Sequence, residues 1–412
     1  MPVVDVLVLS PGVSRYRPEV RAAEAAGAIV TNGTELFLAE LGARTVAITG
    51  SKGKSTVTRL TAHLLVAAGQ PAVGAGNIGR ALLDLLPELP SASLVVAEVS
   101  SYQAALVESP PRVAVLTSLF PDHLPWHGSL ERYYADKLRL LAAPSGSGVA
   151  GDRIALVNGG DAGVAALLDD PALAGAVQYG VPGARVQVVG ADAAGDGPLV
   201  TVGDQPVLSL RRSRLPGAHN AVNVAAAVAV LDVLGVDVLG ARAALERALA
   251  AFAPLPHRLE AVATRGGVTY VDDSLATSAQ AAVAACEAYP DRALTLLVGG
   301  LDRGIDYRPL VDYLHRRAVV TPLLVVAMDS AGRRIAADVQ ALPIDVPIEL
   351  TDDVSDAVRI AAKLTARGGV VLFSPAAPSP PGYGTYERRS AAFVAAVHAL
   401  KGGLRPPSRP SP

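Results

Sequence analysis

Residues 45–56 read Thr-Val-Ala-Ile-Thr-Gly-Ser-Lys-Gly-Lys-Ser-Thr, an apolar and β-branched run, then a glycine loop, then the opening of a helix. That order suits a polyphosphate. Gly50 and Gly53 let the backbone turn tightly and aim N–H groups at phosphate oxygens. The N-terminus of the following helix adds partial positive charge. Lys54 can neutralise the β- and γ-phosphates, and the hydroxyl of Ser55 or Thr56 can ligate Mg²⁺. The candidate loop is therefore Gly50, Ser51, Lys52, Gly53, Lys54, Ser55 and Thr56. It departs from the Walker pattern at Ile48, where the first glycine would fall. A glycine turn with incidental lysines is the competing reading, and it leaves the order of strand, loop and helix unexplained.

Other groups stand where a phosphate site needs them. Glu98 closes the apolar run 94–97 and falls at the carboxyl end of a buried strand, where open α/β sheets bind ligands. A carboxylate there is a hard oxygen ligand for Mg²⁺, although a capping or ion-paired glutamate would read the same. Asp122 and His123 follow the run 113–116 onto the same rim, with His123 either a ligand or structural. Lys137 lies on a helix after Tyr133 and Tyr134, and its composition alone makes it a surface lysine. Asn220 and Asn223 lie three apart and can face one way; Asn220 also suits a plain N-cap.

The elements that must position these residues follow from the apolar pattern. Runs 6–10, 45–49, 94–99, 113–116 and 154–158 are near-continuous Val, Ile, Leu and Ala, as in parallel strands covered on both faces. Between them, residues 55–68 are helical, with Val57, Leu60, Leu64 and Ala67 on one face and Gly69 as a stop. The alternation predicts a doubly wound α/β fold. Residues 177–207 are glycine-rich and β-like, a small insertion, and 221–234 is a strong helix. The proline-rich stretch 253–256 is a linker. The rhythm then restarts with strands at 268–271, 294–298, 322–326 and 370–373, a second α/β domain. Residues 401–412 are rich in Pro, Gly and Arg and are expected to be disordered.

Bulk properties exclude several function classes. The 412 residues suffice for two or three domains at roughly 100–200 residues each. A net charge of −2 makes no case for a nucleic-acid partner or an anionic membrane. A single cysteine, Cys286, excludes a disulfide framework and a multi-cysteine zinc site, in keeping with a reducing cytoplasm. No apolar run approaches the ~20 residues that span a bilayer.

The loop Gly50–Thr56 resembles the shortened phosphate loop shared by Mur ligases and folylpolyglutamate synthetases. Further segments resemble the Mur ligases from about Val4 to Ala399: Leu9-Ser-Pro-Gly-Val13, Thr31-Asn-Gly-Thr-Glu-Leu-Phe37, Gly76-Asn77-Ile78-Gly79, Gly217-Ala-His-Asn-Ala-Val-Asn223, Leu255-Pro-His-Arg-Leu-Glu260, Gly299-Gly-Leu-Asp-Arg303 and Phe373-Ser-Pro-Ala-Ala-Pro-Ser379 through Tyr386-Glu-Arg-Arg389. The glutamate-adding branch fits best. The resemblance implies a partial N-terminal Rossmann-like domain at 1–40, a central ATPase-type α/β domain at 41–253 and a Rossmann-like glutamate domain at 254–400. It implies ATP and two Mg²⁺ ions, with Lys54, Glu98, His123 and Lys137 catalytic. Ser55 or Thr56, Glu98, His123 and a carbamylated Lys137 would hold the metal. Asn220, Asn223, His257, Arg258 and Asp273 would meet the nucleotide. An arginine brought from the second domain to the γ-phosphate suits charge stabilisation during phosphoryl transfer.

Gly12 and Asn77 would face a UDP-N-acetylmuramoyl-L-alanine substrate. Thr277, Arg303, Ser379 and Tyr386 would hold glutamate, the arginine as a two-pronged carboxylate clamp; from the residues alone, 374–381 reads as a rigid loop. The implied protein is a cytoplasmic monomer of cell-wall peptidoglycan synthesis that forms an acyl phosphate. D-glutamate is the expected amino acid, with L-glutamate as the alternative. Leu275, Ser278 and the run 380–384 depart from the branch in the part that reads the amino acid. The resemblance also lacks the usual first strand and glycine-rich UDP turn, so a mis-set start or a true truncation is expected. A truncated nucleotide-binding homologue without ligation and a folylpolyglutamate synthetase are the remaining alternatives; the segments 9–12 and 374–379 fit the latter poorly.

Overall fold

The computed structural model describes residues 4–78, 80–122, 124–142, 153–190, 197–215, 217, 219–253, 256–304, 306–343 and 346–400. The expectations for His123, Gly79, the linker residues Pro254 and Leu255, and the tail 401–412 lie outside the described residues. The chain divides into two compact units, 1–213 with 220–252, and 214–219 with 253–412.

The first unit opens with a parallel pair, β1 (Val6–Leu9) and β2 (Ile29–Asn32), joined through the helix Pro18–Ala25. Leu9 and Val20 pack on Leu106, which anchors this segment on the rest of the unit. The main sheet has six parallel strands: β3 (Thr45–Thr49), β4 (Ala72–Gly76), β5 (Leu94–Glu98), β6 (Val113–Leu116), β7 (Ile154–Asn158) and β8 (Val177–Tyr179). Their order is β4-β5-β3-β6-β7-β8. β3 and β6 are buried at every position, as unbroken apolar runs require when both faces are covered. The central strand β3 delivers the phosphate loop, and its neighbours β5 and β6 end beside it.

The expected insertion at 177–207 is divided. Its first run is β8, on the edge of the main sheet, because Tyr179 inserts its ring into the core and donates its hydroxyl to Leu116 O (3.2 Å). Only β9 (Val186–Val189), β10 (Leu199–Val202) and β11 (Gln205–Ser209) form the small antiparallel sheet. The helix His219–Val233 is built of Ala and Val and is buried on nearly all sides.

The second unit holds β12 (Glu260–Arg265), β13 (Val268–Asp272), β14 (Leu294–Gly299), β15 (Leu323–Met328), β16 (Ile348–Thr351) and β17 (Val370–Phe373). The order is β12-β13-β17-β14-β15-β16, parallel except for β12 against β13. The expected α/β class is thus found in both units. No helix among the described residues is long and apolar enough to cross a membrane.

Candidate active site

The phosphate loop is built to be open at one end and tied down at the other. The helix Lys54–Ala67 has Gly53 as its N-cap, at φ 89°, and no side chain caps it. Its first amides lack intrahelical acceptors and point past the loop, as an anion site needs. Below, Ser51 N donates to Ser118 O (2.8 Å) and Lys52 N to Ser118 Oγ (2.8 Å). Thr117 Oγ1 bonds Lys52 O (2.5 Å), and Ser51 Oγ meets Phe120 O (2.9 Å) and Tyr133 Oη (2.8 Å). Ser51 and Lys52 therefore spend these donors on shaping the loop against the segment after β6. Lys54 Nζ folds back to Gly50 O (2.9 Å). Ser55 and Thr56 lie in the first helical turn, half-buried.

Two buried ionisable side chains lie beside this loop. Glu98, at the end of β5, is 3% exposed; one oxygen accepts from Asn77 Nδ2 (2.9 Å), and the other, Oε2, is buried with no partner. Lys137, on the helix Leu130–Leu138, is 1% exposed and donates to Gly50 O (2.8 Å). Burial, and next the charge of Lys54, push its amine well below the ordinary lysine range; Asp122 and Glu98 act in the opposite sense. The surface placement that composition gives Lys137 is thereby corrected. Asn223 Nδ2 donates to Asn220 Oδ1 (2.9 Å), and Asn223 Oδ1 sits 2.8 Å from where a side chain on Gly53 would begin. The asparagine pair thus reaches the loop. Gly12 is exposed in the segment after β1.

A buried chain that the sequence reading missed runs alongside. Tyr16 Oη donates to Asp136 Oδ1 (2.8 Å), Asp136 Oδ2 meets His127 Nδ1 (2.6 Å), and His127 Nε2 meets Ser101 Oγ (2.9 Å). Trp126 Nε1 donates to Pro11 O (3.1 Å), which holds the same N-terminal segment. Burial and then Asp136 push the Tyr16 phenol up to about 12. The signal was compositional: in a chain only 4% aromatic, Tyr102, Trp126, Tyr133 and Tyr134 gather around His127.

In the second unit, His257 (φ 63°) and Leu259 (φ 47°) both occupy the left-handed region, a costly conformation for side chains of their size. Surrounding bonds enforce it. His257 N donates to Glu260 Oε2 (2.9 Å), and Leu259 N to Asp273 Oδ1 (3.2 Å). His257 Nδ1 lies 2.9 Å from Asp272 Oδ2 and 2.7 Å from Ser390 Oγ. The strained turn presents Arg258, whose Nε is buried without a partner. Tyr386 stands edge-on to the His257 ring at 5.7 Å. Thr277 is half-buried after β13, Ser379 keeps a buried, unpartnered Oγ after β17, and Arg303 is exposed after β14.

Asp273 accepts from Ser374 Oγ (2.7 Å), yet burial pushes its carboxyl up to about 7. Ser374, Arg258 and the Leu259 amide only partly offset this. Its native pKa exceeds the unfolded value of about 3.9, so the native state binds more protons between the two, and stability falls as pH rises through that window. Asp273→Asn is expected to remove this slope. Relative to the wild type, its thermal midpoint rises on going from pH 5 to pH 8. Parallel midpoint curves for the two proteins would contradict the assignment.

A glycine loop feeding an uncapped helix, with a half-satisfied acid at a strand end and a depressed lysine reaching the same loop, defines an α/β enzyme that handles a nucleoside triphosphate. The comparisons narrow the class. The Mur ligase middle domain matches residues 48–231, and the Mur ligase glutamate ligase domain matches residues 257–377. The UDP-N-acetylmuramoyl-L-alanine–L-glutamate ligase of Salinispora tropica is 45% identical over 97% of this chain and 84% of its own length. Its namesake from Xanthomonas euvesicatoria pv. vesicatoria is 37% identical over 97% and 84%. The crystal structure of MurF ligase from Thermotoga maritima in complex with ADP superposes with a TM-score of 0.65 at 20% identity, covering 96% of this chain and 95% of that one. The chain belongs to the Mur ligase family, and it is an ATP-dependent acid–amino-acid ligase.

Proposed function

We propose that this ligase joins L-glutamate to the carboxyl of UDP-N-acetylmuramoyl-L-alanine, a step of peptidoglycan precursor synthesis, and that it acts as a cytoplasmic monomer. The observation that carries the chemistry is the pairing of an unpartnered Glu98 oxygen with a depressed Lys137 amine beside the phosphate loop. The substrates follow the names of the relatives. L-glutamate replaces the D-enantiomer expected from the sequence because those relatives are named for it, and because Leu275, Ser278 and 380–384 depart from the D-glutamate branch where the amino acid is read.

The donor set suits Mg²⁺. Glu98 Oε2 is a buried hard oxygen with nothing to accept from, and a depressed amine is the form of lysine that takes up CO₂ to become a carbamate. Ser55 or Thr56, Glu98, His123 and carbamylated Lys137 would hold the metal, which supplies charge neutralisation on the phosphates. Gly50–Thr56 and Lys54 orient ATP. The L-alanyl carboxylate oxygen then bonds the γ-phosphorus as ADP leaves, giving an acyl phosphate. The glutamate amine attacks that carbonyl, loses a proton, and phosphate departs. His257, Arg258 and Asp273 serve the nucleotide; Thr277, Arg303, Ser379 and Tyr386 serve glutamate. The protein contributes position and charge rather than covalent chemistry.

Phosphate release with ATP, Mg²⁺ and UDP-N-acetylmuramoyl-L-alanine, run in parallel with L- and D-glutamate, tests this. Release with L-glutamate alone is expected. Release with D-glutamate alone reverses the stereochemistry, and ATP binding without release under either condition returns the chain to the non-catalytic alternative.

A further inference from the structure

The largest fully buried side chain among the described residues is a cation. Arg389, on the helix Tyr386–Ala399, is 1% exposed. Its guanidinium donates to three main-chain carbonyls: Gly299 O (3.0 Å), Ala377 O (3.1 Å) and Ser274 O (3.5 Å). Burial lowers it to about 10, so it keeps its charge at neutral pH. Taking a charge out of water is costly, and a fork of carbonyls offsets that cost only in part.

The three carbonyls lie just after β13, just after β17 and at the last residue of β14, consecutive neighbours in the sheet, where the chain leaves each strand. Those segments carry Thr277, Ser379 and Arg303. They cross one another closely: Gly299 N donates to Pro375 O (2.9 Å) and Leu301 N to Pro378 O (2.9 Å). A side chain on Gly300 would begin 2.2 Å from Pro378 O, and Ala376 is held at φ 60°. On the same segments, Ser274 Oγ and Ser379 Oγ are buried with no partner. Strained backbone and unspent hydroxyls mark a place organised for a ligand rather than for stability.

We propose that Arg389 is a positioning residue for the incoming amino acid, a single cationic fork that fixes the three segments on which the glutamate-holding side chains sit. The inference rests on the glutamate reading above. It requires an effect weighted toward glutamate, since Gly299 O and Ala377 O lie with Arg303 and Ser379, and Arg389 makes no hydrogen bond to His257, Arg258 or Asp273, the nucleotide residues of its own unit, among the described residues.

Steady-state kinetics of Arg389→Met and Arg389→Lys test it, with L-glutamate and ATP varied in turn and the thermal midpoint measured alongside. Methionine keeps the bulk and loses all three bonds; lysine keeps the charge but not the planar fork. The KM for glutamate is expected to rise about tenfold to a hundredfold in Arg389→Met, the range that small misplacements of reacting groups produce. Arg389→Lys falls between it and the wild type, and the KM for ATP stays within about twofold in both. Equal rises in both KM values, a loss of kcat alone, or unfolding of both variants assigns Arg389 to stability and overturns the proposal. A wild-type enzyme that does not use glutamate refutes the functional reading instead, and that result is in hand before any variant is assayed.

Discussion

Lys137→Met is expected to lower ligation on the order of 10³-fold or more, as loss of a preorganised charge-bearing group does, while the thermal midpoint stays level or rises. The two halves of this result have separate causes. Lys137 is 1% exposed, and its amine lies well below the ordinary lysine range. The unfolded chain therefore binds more protons at this residue than the native one does, up to the unfolded pKa of about 10.4. Stability consequently rises with pH across that window, and at neutral pH the buried amine is a cost. Methionine fills nearly the same space without that cost, and such replacements of buried ionisable groups are often neutral or stabilising. Gly50 O loses the bond from Lys137 but keeps the one from Lys54.

Under the proposed carbamylation of Lys137, the functional loss comes from the nucleophile. A neutral amine adds to CO₂ and releases a proton, leaving a carbamate whose oxygens are anionic ligands; a thioether cannot. Wild-type activity should therefore drop in bicarbonate-depleted buffer and return on its addition. A carbamate carbonyl signal from ¹³C-bicarbonate should be present in the wild type and absent in Lys137→Met. Full ligation by the variant would remove Lys137 from the machinery.

Lys137 also shows where sequence reading runs out. The phosphate loop was legible because its chemistry is local: strand, glycines, lysine and helix follow one another, and β3 lies at residues 45–49 as its apolar run predicts. The burial of Lys137 is not local. It depends on Tyr133, whose ring lies 5.0 Å from the amine, and on Gly50, far away in the chain. Only the family resemblance pointed to it. Arg389 fell within a segment of that resemblance but received no role of its own for the same reason, being one of two adjacent arginines in an ordinary helical stretch whose carbonyl partners lie on three other segments.

The strands that escaped have physical excuses as well. β4 reads Ala-Val-Gly-Ala-Gly, where glycines interrupt the apolar run and Gly76 leaves room for the neighbouring strand, since a side chain there would begin 2.3 Å from Glu98 O. β12 and β16 are sheet edges, with polar and apolar positions mixed because one side faces solvent. The Tyr16–Asp136–His127–Ser101 chain joins residues as far apart as 120 positions, and no spacing rule reaches that far.

Gly50→Ala is expected to weaken ATP binding on the order of 10²-fold, the scale of loss that a displacement of about 1 Å produces at an organised site. Gly50 sits at φ 146°, and an added Cβ would lie 2.1 Å from Thr117 Oγ1 and 3.0 Å from Ser118 N. Neither can give way cheaply. Thr117 Oγ1 is bonded to Thr49 O and Lys52 O, and Ser118 pairs with Ser51 and Lys52. The loop itself must move, and it takes with it the carbonyl that receives both Lys54 and Lys137. Gly69→Ala separates this steric effect from backbone strain. Gly69 is also left-handed, at φ 82°, but nothing lies within 4 Å of its missing Cβ. It should lose only the roughly 1–2 kcal/mol of a left-handed alanine and keep its activity. Lys54→Ala completes the comparison, since it removes charge while leaving the turn intact. Titration calorimetry with ATP and Mg²⁺ ranks the three. If Gly50→Ala binds as well as Gly69→Ala, the close approach of the loop to Thr117 is not what shapes the site; if Lys54→Ala also binds and ligates normally, the loop does not serve the nucleotide at all.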